Sequence, residues 1–213
     1  MAKIVVLDVD GTLMDSNYLH VEAWARAFEE VGNRVPRSEL HKQIGKGSTL
    51  LIKEFVEDEE MIEKIEALHG EYYGELQVYG HPLPGAKELI PSLVERGYEV
   101  WFVTSAKDEE LEHHMSELEA EGTIRGVVNS SAVDNAKPAP DIFELALEKA
   151  GASADETVAV GDAVWDIESA SAAGIQTVAV LTGGAFSRQE LEEAGAAEVY
   201  QDCAALLDAG FPK

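Results

Sequence analysis

The sequence predicts an α/β fold: a parallel-sheet, Rossmann-like core with helices on both faces and an inserted all-helical cap domain. Three observations predict it. Short runs rich in Val and Ile alternate with helical patterns from residue 98 onward, the rhythm of a parallel sheet with crossover helices. Those runs are apolar nearly throughout, as strands covered on both faces are. Residues 13–97 carry helical patterns and no strand. A crossover needs only about a dozen residues, so roughly sixty of these are surplus.

The first strand is Ile4-Val5-Val6-Leu7, running into Asp8-Val9-Asp10-Gly11-Thr12. After Asp15 and Ser16, which suit a helix cap, Leu19, Ala23, Ala27 and Val31 follow at near-helical spacing and Gly32 closes the helix. Ser38, Leu40 and Ile44 mark a short second helix, broken by Gly45-Lys46-Gly47-Ser48. Leu50, Leu51 and Phe55 begin a third, and Met61, Ile65, Leu68, Tyr72 and Leu76 give a long amphipathic fourth. Pro82-Leu83-Pro84-Gly85 then punctuates the chain. Pro84 suits the first turn of the next helix, which ends at Gly97. Pro91 falls inside it and predicts a bend or a late start.

Beyond it, strands are expected over 98–103, 126–129, 157–160 and 175–181, with 197–200 as a small edge strand. Helices are expected over 111–118, from about 141 to Gly151, and over 167–173, 190–194 and 204–207. The core is therefore assigned to residues 1–15 plus 80–213 and the cap to 16–79, with hinges near 13–16 and 80–84. An insertion directly after the first strand overhangs the carboxyl edge of the sheet, where it can act as a lid.

Of 213 residues, 46% are apolar, enough for a real core, and no apolar run is long enough for a membrane helix. The opening residues are too few for a signal peptide before the first strand. One cysteine, Cys203, excludes an internal disulfide and fits a packed position in the last helix. A soluble, cytoplasmic protein is expected. The net charge of −25, from 41 acidic and 16 basic residues, repels nucleic acid and anionic membrane. It also repels an anionic substrate, so a site for one must concentrate the few cations or a metal. The charge alone does not distinguish solvated helix faces from salt adaptation or a basic partner, and the oligomeric state is not legible.

The predicted strand ends carry Asp8 and Asp10, Thr104 and Ser105, Lys137, and Asp162 with Asp166. In a parallel sheet these converge on one edge, where ligands bind. Three or four carboxylates converging there repel one another without a cation. All-oxygen ligation points to Mg²⁺, and no His/Cys cluster competes for zinc. Lys137 and a strand-end hydroxyl suit the remaining oxygens of a phosphate.

Asp8-Val9-Asp10-Gly11-Thr12, Thr104 after an apolar strand, Lys137-Pro138-Ala139-Pro140-Asp141, and Gly161-Asp162-x-x-x-Asp166 resemble, in order, the four motifs of the haloacid dehalogenase-like hydrolase superfamily. The helical insertion resembles the small cap of its phosphoglycolate phosphatase and β-phosphoglucomutase branch. The resemblance implies a Mg²⁺-dependent phosphatase acting on a small phosphorylated metabolite. Asp8 would attack phosphorus and form an aspartyl-phosphate. Asp10 would protonate the leaving alkoxide and then deprotonate water. Thr104 would bind a phosphoryl oxygen, and Lys137 would offset charge on Asp8 and the phosphate. Asp162 would ligate Mg²⁺ with Asp8 and the Asp10 carbonyl, and Asp166 would assist. Gly11 and Thr12 would direct main-chain N–H groups at the phosphate.

Ser105 is a further substrate-binding candidate. His20, one turn into the first cap helix, can touch substrate or pack at the hinge. Trp24 reads as cap core, and Trp165 as packing on a neighbouring helix. Lys46, Gly47 and Ser48 can reach the leaving group or make a plain turn. His113 and His114 read as solvent-facing, since adjacent positions do not share a helix face. A phosphosugar mutase is the alternative. Against it stand the absence of an arginine in the 45–49 loop and the Gly-Asp form of the fourth motif. A dehalogenase would lack Asp10, and an idle binding module would not have every catalytic position filled.

Overall fold

The structure is a computed structural model and describes residues 3–212. Met1, Ala2 and Lys213, at the ends of the expected core span, lie outside the described residues. The strands are β1 (Ile4–Leu7), β2 (Glu99–Thr104), β3 (Gly126–Asn129), β4 (Thr157–Gly161), β5 (Gln176–Val180) and β6 (Glu198–Tyr200). They form one sheet in the order β3-β2-β1-β4-β5-β6, and every pairing is parallel. The expected edge strand is thus present as β6. The order reverses at β1, which lies between β2 and β4, so a crevice opens beyond their carboxyl ends.

The period of two along each strand sends alternate side chains to opposite faces. Val5, Leu7, Val100, Phe102, Val158 and Val160 pack on one face with α5 (Ala86–Glu95) and α10 (Cys203–Asp208). Ile4, Val6, Trp101, Val103 and Val128 pack on the other with Ile142 and Phe143 of α7 (Asp141–Ala150). Against the far side of β5 and β6, Ile167 of α8 (Val164–Ala172) meets Leu191 of α9 (Arg188–Ala194). The last helix of the core, α6 (Asp108–Glu117), follows β2.

Between β1 and α5 the chain forms α1 (Asn17–Glu30), α2 (Arg37–His41), α3 (Ser48–Lys53) and α4 (Glu59–Leu76). They bury their own cluster, in which Val21, Trp24 and Phe28 meet Leu40, Leu51, Ile52, Ile62 and Ile65. Trp24 lies in that cluster, as its spacing predicts. The two linkers to these helices run side by side. The Asp15 N–H donates to the His81 carbonyl at 2.8 Å, and the Leu83 N–H to that of Leu13 at 2.8 Å.

Three local expectations are corrected. Pro84 lies outside helix α5, which is capped by Gly85 at φ +81°. It starts at Ala86 and runs through Pro91. Helix α8 begins at Val164, not 167, because Asp166 Oδ2 accepts from the Ala163 N–H at 3.0 Å and caps that turn. His114 is buried, not solvent-facing, because Tyr73 of α4 reaches across from the inserted helices to its Nε2 at 3.2 Å. No described helix is long and apolar enough to cross a membrane.

Candidate active site

Beyond β1 and β4 the chain leaves the sheet at Asp8 and Asp162, and Asp166 follows one turn into α8. One carboxylate oxygen from each lies within 4.8 Å of the others, and all three residues are buried. Lys137 is fully buried against them. Its Nζ donates to Asp8 Oδ1 at 2.7 Å, Asp166 Oδ1 at 2.8 Å and the Val103 carbonyl at 3.2 Å. Thr12 Oγ1 lies 3.0 Å from Asp162 Oδ1 and 3.3 Å from Asp8 Oδ2, so it ties the two acids together. The hydroxyl carries a single proton and donates it to one of them at a time.

Burial and neighbouring like charge set the protonation of this group. Burial, then Asp166, push the Asp8 carboxyl up to about 7 against the pull of Lys137. Burial, then Asp166 and Asp8, raise Asp162 well above the carboxylate range against the hydrogen bonds from Thr12 and Asn17. Burial disfavours the Lys137 ammonium, but Asp166 and Asp8 outweigh it and hold its pKa above the ordinary lysine value. With one ammonium for three crowded carboxylates, full ionisation is disfavoured unless a cation joins them. Their hard oxygen donors fit a divalent cation such as Mg²⁺. A buried oxygen beside them, Asn17 Oδ1, has no hydrogen-bond partner, which adds to the fit.

Asp10 turns away from that group. Its Oδ1 accepts from Ser16 Oγ at 2.5 Å and faces His20 Nε2 at 3.3 Å, while Thr104 Oγ1 stands 3.5 Å from Oδ2. Burial opposes its charge, but His114, His20 and Ser16 hold the carboxyl below the usual range. Burial lowers His114, whereas Asp10 raises His20 against burial. Asp10 Oδ1 lies 3.3 Å from His20 Nε2 and 3.8 Å from His114 Nε2. His20 continues inward: its Nδ1 meets His69 Nε2 of α4 at 3.2 Å, and its ring stacks on Tyr73 at 3.8 Å. His69 in turn stacks on Trp24.

The other predicted residues divide. Thr104 is fully buried and accepts from the Ala106 N–H at 3.0 Å. Ser105 donates to the Gly45 carbonyl at 3.0 Å, which places it at the seam with the inserted helices. Lys46 and Ser48 line a cavity of about 40 Å³ together with Asp8, Asp10, His20 and Ser105. Lys46 also pairs with Glu54 at 2.8 Å and lies 4.1 Å over the Trp165 ring. Gly47 stands apart from that cavity, pressed on Ala136, where a Cβ would come within 2.2 Å. Trp165 does more than pack on a neighbouring helix, since its Nε1 donates to the Lys42 carbonyl at 3.2 Å.

The N–H groups of Gly11 and Thr12 are committed within the turn, to Met14 and Val9 carbonyls at 2.8 and 3.2 Å. The expectation that they face a phosphoryl group is corrected on that account: the tight turn that Gly11 allows at φ +77° consumes them. Sequence reasoning missed Asn17, His69 and Tyr73, together with Thr182, whose Oγ1 donates to the Gly11 carbonyl at 2.6 Å, and Gly183, whose carbonyl accepts from Asn17 Nδ2 at 3.3 Å. The only signals were a polar residue opening the first inserted helix, a histidine on its fourth, and Thr-Gly-Gly after a strand.

The fold and this grouping of carboxylates, lysine and hydroxyls at a parallel-sheet edge define a hydrolase. The chain belongs to the haloacid dehalogenase-like hydrolase family, whose sequence profile matches residues 5–180. It is 26% identical to a phosphoglycolate phosphatase of Rhodospirillum rubrum over 100% of this chain and 93% of that one. It is 27% identical to a phosphorylated carbohydrates phosphatase of Thermotoga maritima over 91% and 92%. The crystal structure of a hydrolase from Pseudomonas syringae superposes with a TM-score of 0.92 at 32% identity, covering 97% of each chain.

Proposed function

We propose that the protein is a Mg²⁺-dependent phosphatase that hydrolyses a small phosphorylated metabolite through an aspartyl-phosphate on Asp8. One observation carries the reading: the two aspartates of the first motif face different partners. Asp8 joins the carboxylates of Asp162 and Asp166 and Lys137, whereas Asp10 faces Ser16, His20 and Thr104. That is the division a nucleophile and an acid–base group require. The relatives named for phosphoglycolate and for phosphorylated carbohydrates support the substrate class.

Asp8, Asp162 and Asp166, with the Asp10 carbonyl, hold the cation, which supplies electrostatic stabilisation to the transferring group. Lys137 holds Asp8 in place and balances charge. Asp8 attacks phosphorus as the ester bond breaks, and the proton that His20 holds beside Asp10, at 3.3 Å, passes through Asp10 to the leaving alkoxide. Asp10 then takes a proton from the water that releases phosphate from Asp8. Thr104 and Ser105 border the phosphoryl position, and Lys46 and Ser48 border the leaving group. The cavity has room for about three waters, less than a phosphorylated metabolite fills. Residues 16–79 therefore act as a cap that opens on the linkers near 13–16 and 80–84. A cytoplasmic setting belongs to the same proposal.

Turnover of para-nitrophenyl phosphate with and without Mg²⁺ tests the reading. Phosphate release that requires Mg²⁺ is expected, and its absence overturns the proposal. A panel of phosphorylated metabolites then ranks substrates, and isomerisation of a bisphosphosugar without phosphate release would identify a mutase instead.

A further inference from the structure

Asn17 is the first residue of the inserted helices, yet its side chain is buried against the core. Its Nδ2 donates to Asp162 Oδ2 at 3.1 Å and to the Gly183 carbonyl at 3.3 Å. Turning the amide over would set its oxygen against two acceptors and strand both N–H groups, so the orientation is determined. Oδ1 is then left buried with no hydrogen-bond partner, and such an atom calls for an explanation. That unmet oxygen is the cost of holding Nδ2 on Asp162 and the Gly183 carbonyl.

The packing around this amide leaves no slack. A Cβ on Gly183 would lie 1.6 Å from Asp162 Oδ2 and 2.8 Å from Asn17 Nδ2, and one on Gly11 would lie 2.2 Å from that nitrogen. Two glycines without side chains thus let Asn17 and Asp162 meet. The Gly183 carbonyl also accepts from Nε2 of His41 in α2, at 2.9 Å. Two residues of the inserted helices therefore converge on one core peptide that abuts a cation-binding carboxylate. A movement of α1 away from the core breaks the Asn17–Asp162 bond.

We propose that Asn17 is a positioning residue that completes the cation site by orienting Asp162, which makes metal affinity depend on where the cap sits. The proposal rests on the Mg²⁺ reading of the carboxylates. Groups that orient a metal ligand typically change affinity about 10- to 100-fold when removed. Titration calorimetry of Mg²⁺ into the full chain tests it, with circular dichroism verifying the fold. Asn17→Leu, close in volume and unable to hydrogen-bond, is expected to raise the Mg²⁺ Kd by about 10-fold or more. His41→Leu leaves Asn17 and every carboxylate in place and removes the second cap bond to Gly183 along with a ring contact to Tyr18 at 4.6 Å. It is expected to weaken Mg²⁺ by about fivefold, the coupling between cap position and metal. A folded Asn17→Leu protein that binds Mg²⁺ within twofold of the wild type overturns the role of Asn17. An unchanged Kd in His41→Leu overturns the coupling to the cap, and this second variant decides that point even if Asn17→Leu does not fold. A wild-type protein that takes up no Mg²⁺ overturns the cation reading itself, a result distinct from either.

Discussion

At the residue scale, two aspartates separated by a single valine have opposite surroundings. Asp8 shares a buried space with Asp162 and Asp166 and answers to Lys137. Asp10 is held by Ser16 and His20. Asp8→Asn is expected to reduce phosphate release by about 10⁴-fold or more, since the nucleophile is lost. It removes one of three crowded carboxylates, so the melting temperature should not fall. Normal turnover by that variant contradicts the assignment. Cys203 gives a second prediction. Burial pushes its thiol up to about 12, so almost no thiolate is present at pH 8. Ellman's reagent should leave the native protein unmodified and react fully in denaturant; rapid native labelling would show that the last helix opens readily.

The residues legible in the sequence were those that follow a strand end: Asp8, Lys137, Asp162 and Asp166 meet as the parallel sheet requires, and Asp10 stands beside them facing Ser16 and His20. Those not legible owe their position to a different part of the chain. His114 is buried because Tyr73 arrives from α4, and no spacing rule within α6 contains that information. Asn17 and Gly183 are 166 residues apart and meet only once β5 has turned toward α1.

At the scale of elements, the strands declared themselves because continuous apolar runs suit a sheet buried on both faces. Helix starts were less legible, because capping groups decided them. The start of α5 illustrates this. Gly85 sits at φ +81°, and a Cβ there would lie 2.2 Å from the backbone nitrogen of Ala204, at α10. Gly85→Ala combines left-handed strain with a backbone collision. It is expected to destabilise the protein by about 2–4 kcal/mol in urea unfolding, with the slope of the transition unchanged. A loss below about 0.5 kcal/mol, the range of an unremarkable surface change, would mean that α5 and α10 can part at little cost.

At the scale of the whole molecule, the inserted helices and the sheet bury separate hydrophobic clusters and meet across a polar seam. The inserted helices bury Phe28 and Ile65 among themselves, while the sheet buries its own side chains on both faces. The seam is bridged by Trp165 to the Lys42 carbonyl, Ser105 to the Gly45 carbonyl and Lys42 to Glu190. Such contacts re-form in water at small cost, which suits parts that separate and rejoin. A cation that binds the folded state alone adds about 2.7 kcal/mol at 100 times its Kd. Mg²⁺ is therefore expected to raise the melting temperature by about 5–10 °C over the protein in EDTA, as read by scanning calorimetry. No shift would contradict the cation site.

The paired linkers carry a last consequence. Residues 13 and 83 are hydrogen-bonded neighbours, so everything between them is a detour whose ends already touch. The sheet asks nothing of that detour's length or sequence beyond the few groups, such as Asn17 and His20, that dip back into the crevice. The guest can therefore change its length and its loops while the host keeps its own framework and the groups along its edge.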